Sequence, residues 1–210
     1  MTDAFPALLD LDGTLVDSVY QHVLAWQATL HSAGYDVPAW RIHGGIGMGS
    51  EKLVPWLLGR HVDELDELSD EHERRFLELA DGLRPTRGAG ALIDDLERRT
   101  VPFKVATSAT GPVSDALLDA LGRHDLATVN ADAVDAPKPA PDLLLAACRD
   151  LGAEPARVTL VGDSPWDAEA ARRAGLRALA VRTGGFSEAT LRQAGADDVV
   201  GDPADLVARL

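Results

Sequence analysis

Two aspartates follow the first short apolar run of the chain. Asp10 and Asp12 are spaced i, i+2, and Gly13 and Thr14 come next. Alternate residues of a strand point to the same side, so the spacing predicts two neighbouring carboxylates at the end of a strand. Such a pair suits chemistry in which one carboxylate attacks or binds a metal and the other moves a proton. The alternative is an ordinary Asp-Gly turn.

A second acidic group stands towards the C-terminus. Ser164, Pro165 and Asp167 predict a helix start, with the serine as N-cap and the aspartate three positions later. That interpretation leaves Asp163 unexplained at the end of another apolar run. Asp163 and Asp10 together would suit a hard cation such as Mg²⁺, which prefers oxygen ligands.

Two further segments contain groups that could hold an anion. Lys138 is flanked by Pro137 and Pro139, which restrict the backbone on both sides of it. Thr107 and Ser108 close a β-rich run, and hydroxyls and amides at a strand-to-helix turn suit a phosphate. The alternatives are an exposed loop lysine and an ordinary turn.

The pattern along the chain predicts the elements that would bring these residues together. Strand-like runs cover residues 7–11, 101–107, 127–130, 157–162, 178–181 and 197–200, and helical patterns cover residues 89–99, 113–121, 141–151, 166–174, 188–194 and 204–210. Their alternation predicts an α/β fold, a Rossmann-like parallel sheet with helices on both faces. Ligands of such sheets bind beyond the carboxyl ends of the strands, where Asp10, Thr107 and Asp163 fall.

The segment after the first strand has a different pattern of hydrophobic residues. Residues 19–87 contain no convincing strand, and helical patterns cover residues 19–33, 51–58 and 63–83. Residues 37–50 are broken by Pro38 and four glycines. We therefore expect a small all-helical domain, residues 19–83, inserted into an α/β core formed by residues 1–18 and 84–210.

Composition restricts the class of partner. A net charge of −14 argues against nucleic acid or an anionic membrane surface as the main partner. A small anionic substrate stays possible, because a lysine and a metal ion can reverse the charge of a pocket. The single cysteine, Cys148, lies in an apolar run and is expected in the core. With no apolar stretch of membrane-spanning length and no basic leader, a cytoplasmic protein is predicted.

The motifs together resemble those of the haloacid dehalogenase superfamily, whose members are mostly phosphatases. Residues 10–14 read DLDGT and resemble its DxDGT motif, and residues 162–167 read GDSPWD and resemble its GDSxxD motif. Thr107 is similar to its strand-end hydroxyl and Lys138 to its loop lysine. The helical insertion is similar to the small cap of the branch that includes phosphoglycolate phosphatase and β-phosphoglucomutase.

The resemblance implies a role for each residue. Asp10 would be the nucleophile that forms an aspartyl-phosphate, and Asp12 would protonate the leaving oxygen and then deprotonate the attacking water. Mg²⁺ would be held by Asp10, the backbone carbonyl of Asp12, Asp163 and, as ligand or neighbour, Asp167. The phosphoryl oxygens would be held by Gly13, Thr107, the amide of Ser108 and Lys138.

Charge counting supports the metal. Four aspartates and Lys138 leave the predicted site near −3, and Mg²⁺ brings it to −1. Since crowded carboxylates raise one another's pKa, we also expect Asp12 to be protonated. An acid at this position favours an oxygen-linked phosphate, because dehalogenases and phosphonate-cleaving members of the superfamily lack it.

The resemblance also implies that the glycine-rich segment of the insertion faces the active site and selects the substrate. Arg41, His43, Ser50 and Lys52 are its candidate substrate contacts, although all four could be ordinary surface groups. The predicted function is a Mg²⁺-dependent phosphatase for a small phosphorylated metabolite, as monomer or dimer. One alternative is a sugar-phosphate mutase, although the cap lysine–arginine pair of β-phosphoglucomutase is missing. The other is a non-catalytic phosphometabolite-binding protein.

Overall fold

A parallel sheet forms the centre of the computed structural model, which describes residues 5–130 and 137–210. The strands are β1 (Ala7–Leu9), β2 (Val16–Asp17), β3 (Arg84–Pro85), β4 (Phe103–Ala106), β5 (Thr128–Val129), β6 (Thr159–Gly162), β7 (Arg177–Val181) and β8 (Asp198–Val200). Six of them form one sheet in the order β5-β4-β1-β6-β7-β8, and every neighbouring pair is parallel. The predicted Rossmann-like α/β fold is therefore confirmed.

Helices cover both faces of this sheet. They are α1 (Val19–Ser32), α2 (Ala39–Gly45), α3 (Ser50–Leu58), α4 (Leu65–Glu78), α5 (Ala89–Arg98), α6 (Gly111–Leu121), α7 (Asp142–Leu151), α8 (Pro165–Ala174) and α9 (Glu188–Ala194). Ala7 and Leu9 of β1 pack with α5 and α6, whereas Leu8 packs with α7 and α8 on the opposite face. This alternation follows from the two-residue period of a strand. Cys148 is buried in the second layer, as predicted.

The four helices α1 to α4 lie between β2 and β3. Their buried side chains, which include Val23, Trp26, Ile42 and Leu53, form a hydrophobic cluster of their own. β2 and β3 pair antiparallel, with Val16 opposite Pro85 and Asp17 opposite Arg84. These observations support the proposal that residues 19–83 are a separate cap. Among the described residues, no helix is long and apolar enough to cross a membrane.

Some predicted elements are wrong or were missed. The segment expected to be broken by glycines contains α2, which includes Gly44 and Gly45. A Cβ on Gly45 would lie 2.3 Å from Leu53 Cδ1, so packing against α3 requires a glycine inside this helix. The pairs Val16–Asp17 and Arg84–Pro85 were missed because two residues are too short to show a period.

The closing helix predicted over residues 204–210 is also wrong. Only a 3-10 turn, Pro203–Leu206, forms there, and the Asp202 side chain accepts a hydrogen bond from the Ala204 amide at its start. The chain then turns away at Ala208, which has a φ of 63° and donates its amide to Asp95 Oδ2 at 3.0 Å. A long-range carboxylate acceptor thus replaces the helical hydrogen bonds.

Candidate active site

Three of the predicted polar residues meet at one edge of the sheet. Asp10, Thr107 and Asp163 directly follow β1, β4 and β6, which are neighbouring parallel strands. All three side chains are buried. The order β4-β1-β6 therefore brings together residues separated by 97 and 56 positions, as expected for the carboxyl ends of a parallel sheet.

Lys138 joins two of the aspartates. Its Nζ lies 2.5 Å from Asp10 Oδ1 and 2.8 Å from Asp167 Oδ1, and its side chain is only 1% exposed. The other oxygen of Asp167 accepts hydrogen bonds from the backbone amide of Ser164 at 3.1 Å and from its hydroxyl at 2.5 Å. The predicted capping box at the start of α8 is therefore confirmed, and it fixes Asp167 towards Lys138.

Asp163 is enclosed by backbone. A Cβ on Gly13 would lie 2.3 Å from Asp163 Oδ2, and one on Gly184 would lie 1.9 Å from the same atom. Its other oxygen accepts a hydrogen bond from Thr14 Oγ1 at 2.9 Å. The carboxylate thus fits only because both neighbouring positions lack a side chain.

The aspartate cluster has the composition of a site for a hard cation. One carboxylate oxygen each from Asp10, Asp163 and Asp167 lies within 4.8 Å of the others. Burial, followed by the charge of Asp167, raises the pKa of Asp163 well above its ordinary value and also raises that of Asp10. Lys138 alone does not balance three buried carboxylates, so these residues fit a divalent cation with oxygen ligands.

Asp12 belongs to a different set of contacts, made mostly by the helices of the insertion. Its Oδ1 accepts a hydrogen bond from Ser18 Oγ at 2.7 Å and lies 2.8 Å from His22 Nε2. The other ring nitrogen of His22 lies 3.1 Å from His72 Nε2. Trp26 stacks on His72 with ring centres 4.2 Å apart. An Asp12–His22–His72 chain therefore links the carboxylate to α1 and α4.

This chain corrects the expected ionisation of Asp12. Burial by itself raises the pKa of Asp12, but attraction to His22 and hydrogen bonds from His22 and Ser18 outweigh it. The pKa lies below its ordinary value, and the carboxyl is ionised at neutral pH. Crowding acts on Asp10 and Asp163 instead. The charge count did not predict that Asp12 would differ from Asp10 and Asp163. It omitted the groups that stabilise the ionised Asp12, which are His22 on α1 and Ser18 at the N-cap of that helix.

The predicted phosphate contacts differ in how available they are. Ser108 Oγ is buried and has no hydrogen-bond partner among the described residues. Thr107 Oγ1 accepts the Ala109 amide at 3.0 Å and is fully buried. The Gly13 amide donates to the Val16 carbonyl at 2.7 Å, so it is not free for a phosphoryl oxygen. The geometry of Gly13 instead serves the close approach of Asp163.

A cavity of about 110 Å³ lies between the sheet edge and the insertion. Asp10, Asp12 and Lys138 stand at its core end. Its remaining lining comes from α1, the α2–α3 segment, α4 and the turn after β4: His22, Trp26, Ile46, Gly47, Met48, Gly49, Ser50, Leu53, Ser69, His72, Glu73, Ser108, Ala109, Thr110 and Val113. The predicted catalytic aspartates therefore open into a space that the insertion covers.

Only one of the four candidate substrate contacts lines this cavity, and it is Ser50. Arg41 is exposed and lies over the Trp56 ring, 5.9 Å from its centre. His43 Nε2 lies 2.8 Å from the Gly184 carbonyl, at the contact between α2 and the core. Lys52 is exposed. The predicted loop residues 135 and 136, which precede Lys138, lie outside the described residues.

Sequence reasoning missed the cavity residues on α1 and α4. His22 lies on the buried face of α1 together with Val19, Val23 and Trp26. His72 falls four residues after Leu68 on the buried face of α4. A histidine within an apolar stripe was the available signal, although alone it is common in ordinary cores.

Comparison with known proteins agrees with this arrangement. A family model described as haloacid dehalogenase-like hydrolase matches residues 7–175. N-acetylmuramic acid 6-phosphate phosphatase of Pseudomonas aeruginosa is 31% identical over 207 residues, which cover 95% of this chain and 92% of that protein. Fructose-1-phosphate phosphatase YqaB of Escherichia coli is 33% identical over 191 residues, covering 83% of this chain and 95% of that protein.

A solved structure is similar over nearly the whole chain. The crystal structure of a hydrolase from Pseudomonas syringae superposes with a TM-score of 0.94 at 34% sequence identity. The match covers 98% of this chain and 97% of that one, so it includes both the sheet and the helical insertion.

Proposed function

The chain belongs to the haloacid dehalogenase-like hydrolases, and from this premise we propose that it is a Mg²⁺-dependent phosphatase. Its substrate is a small phosphorylated metabolite, and the reaction passes through an aspartyl-phosphate on Asp10. The observation that carries the proposal is the position of Asp10, 2.5 Å from the buried Lys138 ammonium and lining a cavity beneath the insertion. Phosphatases among its relatives support the same class of reaction.

Asp10 is the nucleophile in this proposal. Its carboxylate oxygen attacks phosphorus, a bond from Asp10 to phosphorus forms, and the bond from phosphorus to the leaving oxygen breaks. Lys138 neutralises one charge on the incoming phosphate and holds Asp10 in place. The buried Ser108 hydroxyl is available to a phosphoryl oxygen. Water then attacks the aspartyl-phosphate and releases inorganic phosphate, which regenerates Asp10.

Asp12 moves the protons. Its carboxyl protonates the leaving oxygen in the first step and accepts a proton from the attacking water in the second. His22 and Ser18 hold Asp12 ionised in the free protein, so Asp12 must take up a proton from solvent when the substrate binds. A dianionic phosphate beside Asp12 raises the pKa of that carboxyl by like-charge repulsion, which favours this uptake.

The proposed metal site consists of Asp10, Asp163 and the backbone carbonyl of Asp12. When bound, Mg²⁺ supplies positive charge that offsets the buried carboxylates and the phosphoryl oxygens. Both oxygens of Asp167 are already engaged by Ser164 and Lys138, so we assign Asp167 to positioning Lys138. The mutase alternative is disfavoured, because a second phosphate needs basic residues and the described cavity lining contains no lysine or arginine besides Lys138.

Phosphate release tests the proposal directly. Purified protein with Mg²⁺ is expected to hydrolyse p-nitrophenyl phosphate and members of a phosphometabolite panel, and EDTA should stop the reaction. Asp10→Asn should lower turnover by about a thousandfold or more, because the amide is a poor nucleophile. Full activity in this variant would reject Asp10 as nucleophile. A wild-type protein that hydrolyses none of the phosphates would reject the phosphatase and leave a binding function.

A further inference from the structure

The rest of the cavity lining, apart from the aspartates and Lys138, is more apolar than polar. Its apolar side chains include Trp26, Leu53 and Val113. The polar groups on α4 are Ser69 and the Glu73 carboxylate, whose Oε2 lies 2.5 Å from the Thr110 hydroxyl. A second carboxyl group, besides those of Asp10 and Asp12, thus lines the cavity that would receive a phosphate ester.

No basic side chain compensates this carboxylate at the cavity. Lys138 is the one lysine or arginine that lines it in the described part of the chain, and it is already bound to Asp10 and Asp167. Residues 1–4 and 131–136, outside that part, contain no lysine, arginine or histidine.

The arginines next to Glu73 on α4 are engaged elsewhere. Arg74 Nε lies 2.7 Å from Glu71 Oε2, and Arg75 Nε lies 2.6 Å from Glu71 Oε1. One histidine of the lining, His72, is uncharged at neutral pH, because burial and then the charge of His22 lower its pKa well below the ordinary value. Among the described residues, the cavity lining therefore offers Glu73 no free lysine or arginine as a counter-ion.

We infer that the substrate is the monophosphate of a neutral, hydroxyl-bearing compound, a polyol or an uncharged sugar, and not of a carboxylic acid or a second phosphate. This inference rests on the proposed phosphatase function. Hydroxyl groups can donate hydrogen bonds to Glu73 and exchange them with Ser69, while carbon-bound hydrogens pack on the apolar wall. An anionic group would face the Glu73 carboxylate with no lysine or arginine of the described lining free to offset the repulsion, which is unfavourable.

Two matched substrate pairs test the inference. Glycerol 3-phosphate and 3-phosphoglycerate differ only by a hydroxymethyl group in place of a carboxylate, and sorbitol 6-phosphate and 6-phosphogluconate differ in the same way. The kcat/KM for phosphate release with Mg²⁺ should favour the neutral member by about tenfold or more in at least one pair, since like charges at close range cost more than 1.4 kcal/mol. Equal or higher kcat/KM for the acid in both pairs would overturn the inference.

Variants of Glu73 test whether this residue determines the preference for the neutral substrate over the acid. The ratio of the two kcat/KM values within one protein cancels any loss of folded protein. Glu73→Gln should bring this ratio towards one, and Glu73→Lys should favour the acid. Glu78→Gln is the matched control, because Glu78 is exposed on the same helix and should keep the wild-type ratio. An unchanged ratio in both Glu73 variants would reject Glu73 as the determinant.

p-Nitrophenyl phosphate separates failure of the inference from failure of the phosphatase proposal. If this substrate is hydrolysed but the acids are preferred, or neither pair reacts, only the polyol assignment is rejected. If no phosphate ester is hydrolysed, the phosphatase proposal is rejected and the inference falls with it.

Discussion

At the level of single residues, the site separates two kinds of carboxylate. Asp10 and Asp163 are buried together, and their pKa values are raised. Asp12 is half-buried, Ser18 and His22 donate to it, and its pKa is lowered. In the proposed mechanism, the first group depends on a cation for its charge, and Asp12 depends on neighbouring protein groups. Nucleophile and proton carrier therefore differ in surroundings as well as in position.

Asp12→Asn should affect substrates according to their leaving group. p-Nitrophenolate is a good leaving group without protonation, whereas an alkoxide must be protonated in order to leave. Formation of the aspartyl-phosphate from an alkyl phosphate should therefore slow by about a hundredfold to ten-thousandfold, and the burst of p-nitrophenol from p-nitrophenyl phosphate should change far less. Rapid-quench and stopped-flow measurements compare the two. Ser18→Ala is the control, because it keeps the carboxylate. Equal losses on both substrates would contradict the role of Asp12.

His72 should make the protein sensitive to acid. Its pKa is lowered in the folded protein by burial and then by His22, so the unfolded chain binds the proton more readily. Stability should therefore fall as the pH drops below the ordinary histidine pKa, by up to about 1.4 kcal/mol per pH unit. Urea unfolding at pH 5, 6 and 7 should show a flatter dependence in His72→Gln. The exposed His124→Gln is the control, and an unchanged slope in His72→Gln would refute the assignment.

The predictable part of the site was the part with strong local motifs. Asp10, Asp163 and Lys138 stand at strand ends or between prolines, and the structure brings them together. The contacts of Asp12 could not be predicted, because His22 and His72 are 50 positions apart and meet only when α1 packs on α4. A polar residue in an apolar stripe does not reveal its partner.

At the level of elements, the segment between α2 and α3 is a close contact of the proposed cap with the core. A Cβ on Gly47 would lie 2.6 Å from Ser164 Oγ, and one on Gly49 would lie 2.4 Å from Pro137 Cβ. Trp166 Nε1 donates to the Gly44 carbonyl at 3.2 Å. The glycines that suggested a flexible substrate loop are therefore points of close packing.

Gly49→Ala should disturb the closed arrangement without unfolding the protein. Gly49 has an ordinary φ of −66°, so an alanine there is unfavourable only because its methyl group meets Pro137. The start of α3, with Ser50 and Leu53, should shift away from the cavity, and kcat/KM should fall about tenfold or more. Gly90→Ala in α5 is the control, because its methyl group would meet nothing within 4 Å. Identical kinetics in the two variants would contradict the proposed contact.

Most elements of the core could be predicted, because hydrophobic periodicity and glycine boundaries are local signals. The helix α9 has the predicted bounds, and α1 and α5 each end one residue earlier than predicted. The last helix was wrong for a non-local reason, since the Ala208 amide is bound by Asp95, which is 113 positions away.

At the level of the whole molecule, a net charge of −14 coincides with a buried aspartate cluster. The folded protein concentrates carboxylates that the unfolded chain keeps apart in water. A cation that binds only the folded site should therefore stabilise the protein. The same excess of negative charge is the reason that nucleic acid is not expected as the main partner.

Mg²⁺ should raise the thermal midpoint of the wild-type protein. At a hundred times Kd the gain is about 2.7 kcal/mol, which is roughly 5–10 °C for a chain of this size. Asp163→Asn should lose the shift, and without metal it should melt higher than wild type, because the protein no longer bears the cost of burying or protonating this carboxyl. Differential scanning calorimetry at constant ionic strength tests both. The same shift in both proteins would reject this metal site.

The chain enters and leaves the helical insertion through a separate two-stranded sheet, in which Val16 lies opposite Pro85 and Asp17 opposite Arg84. Everything between these two crossing points can be lengthened, replaced or exchanged without moving a strand of the central sheet. The choice of substrate and the attack by Asp10 can therefore be inherited separately, whereas Asp12 also needs the contact that His22 of α1 supplies. A hybrid that keeps this core and receives a relative's helices should retain the chemistry of Asp10 and acquire the donor's choice of substrate.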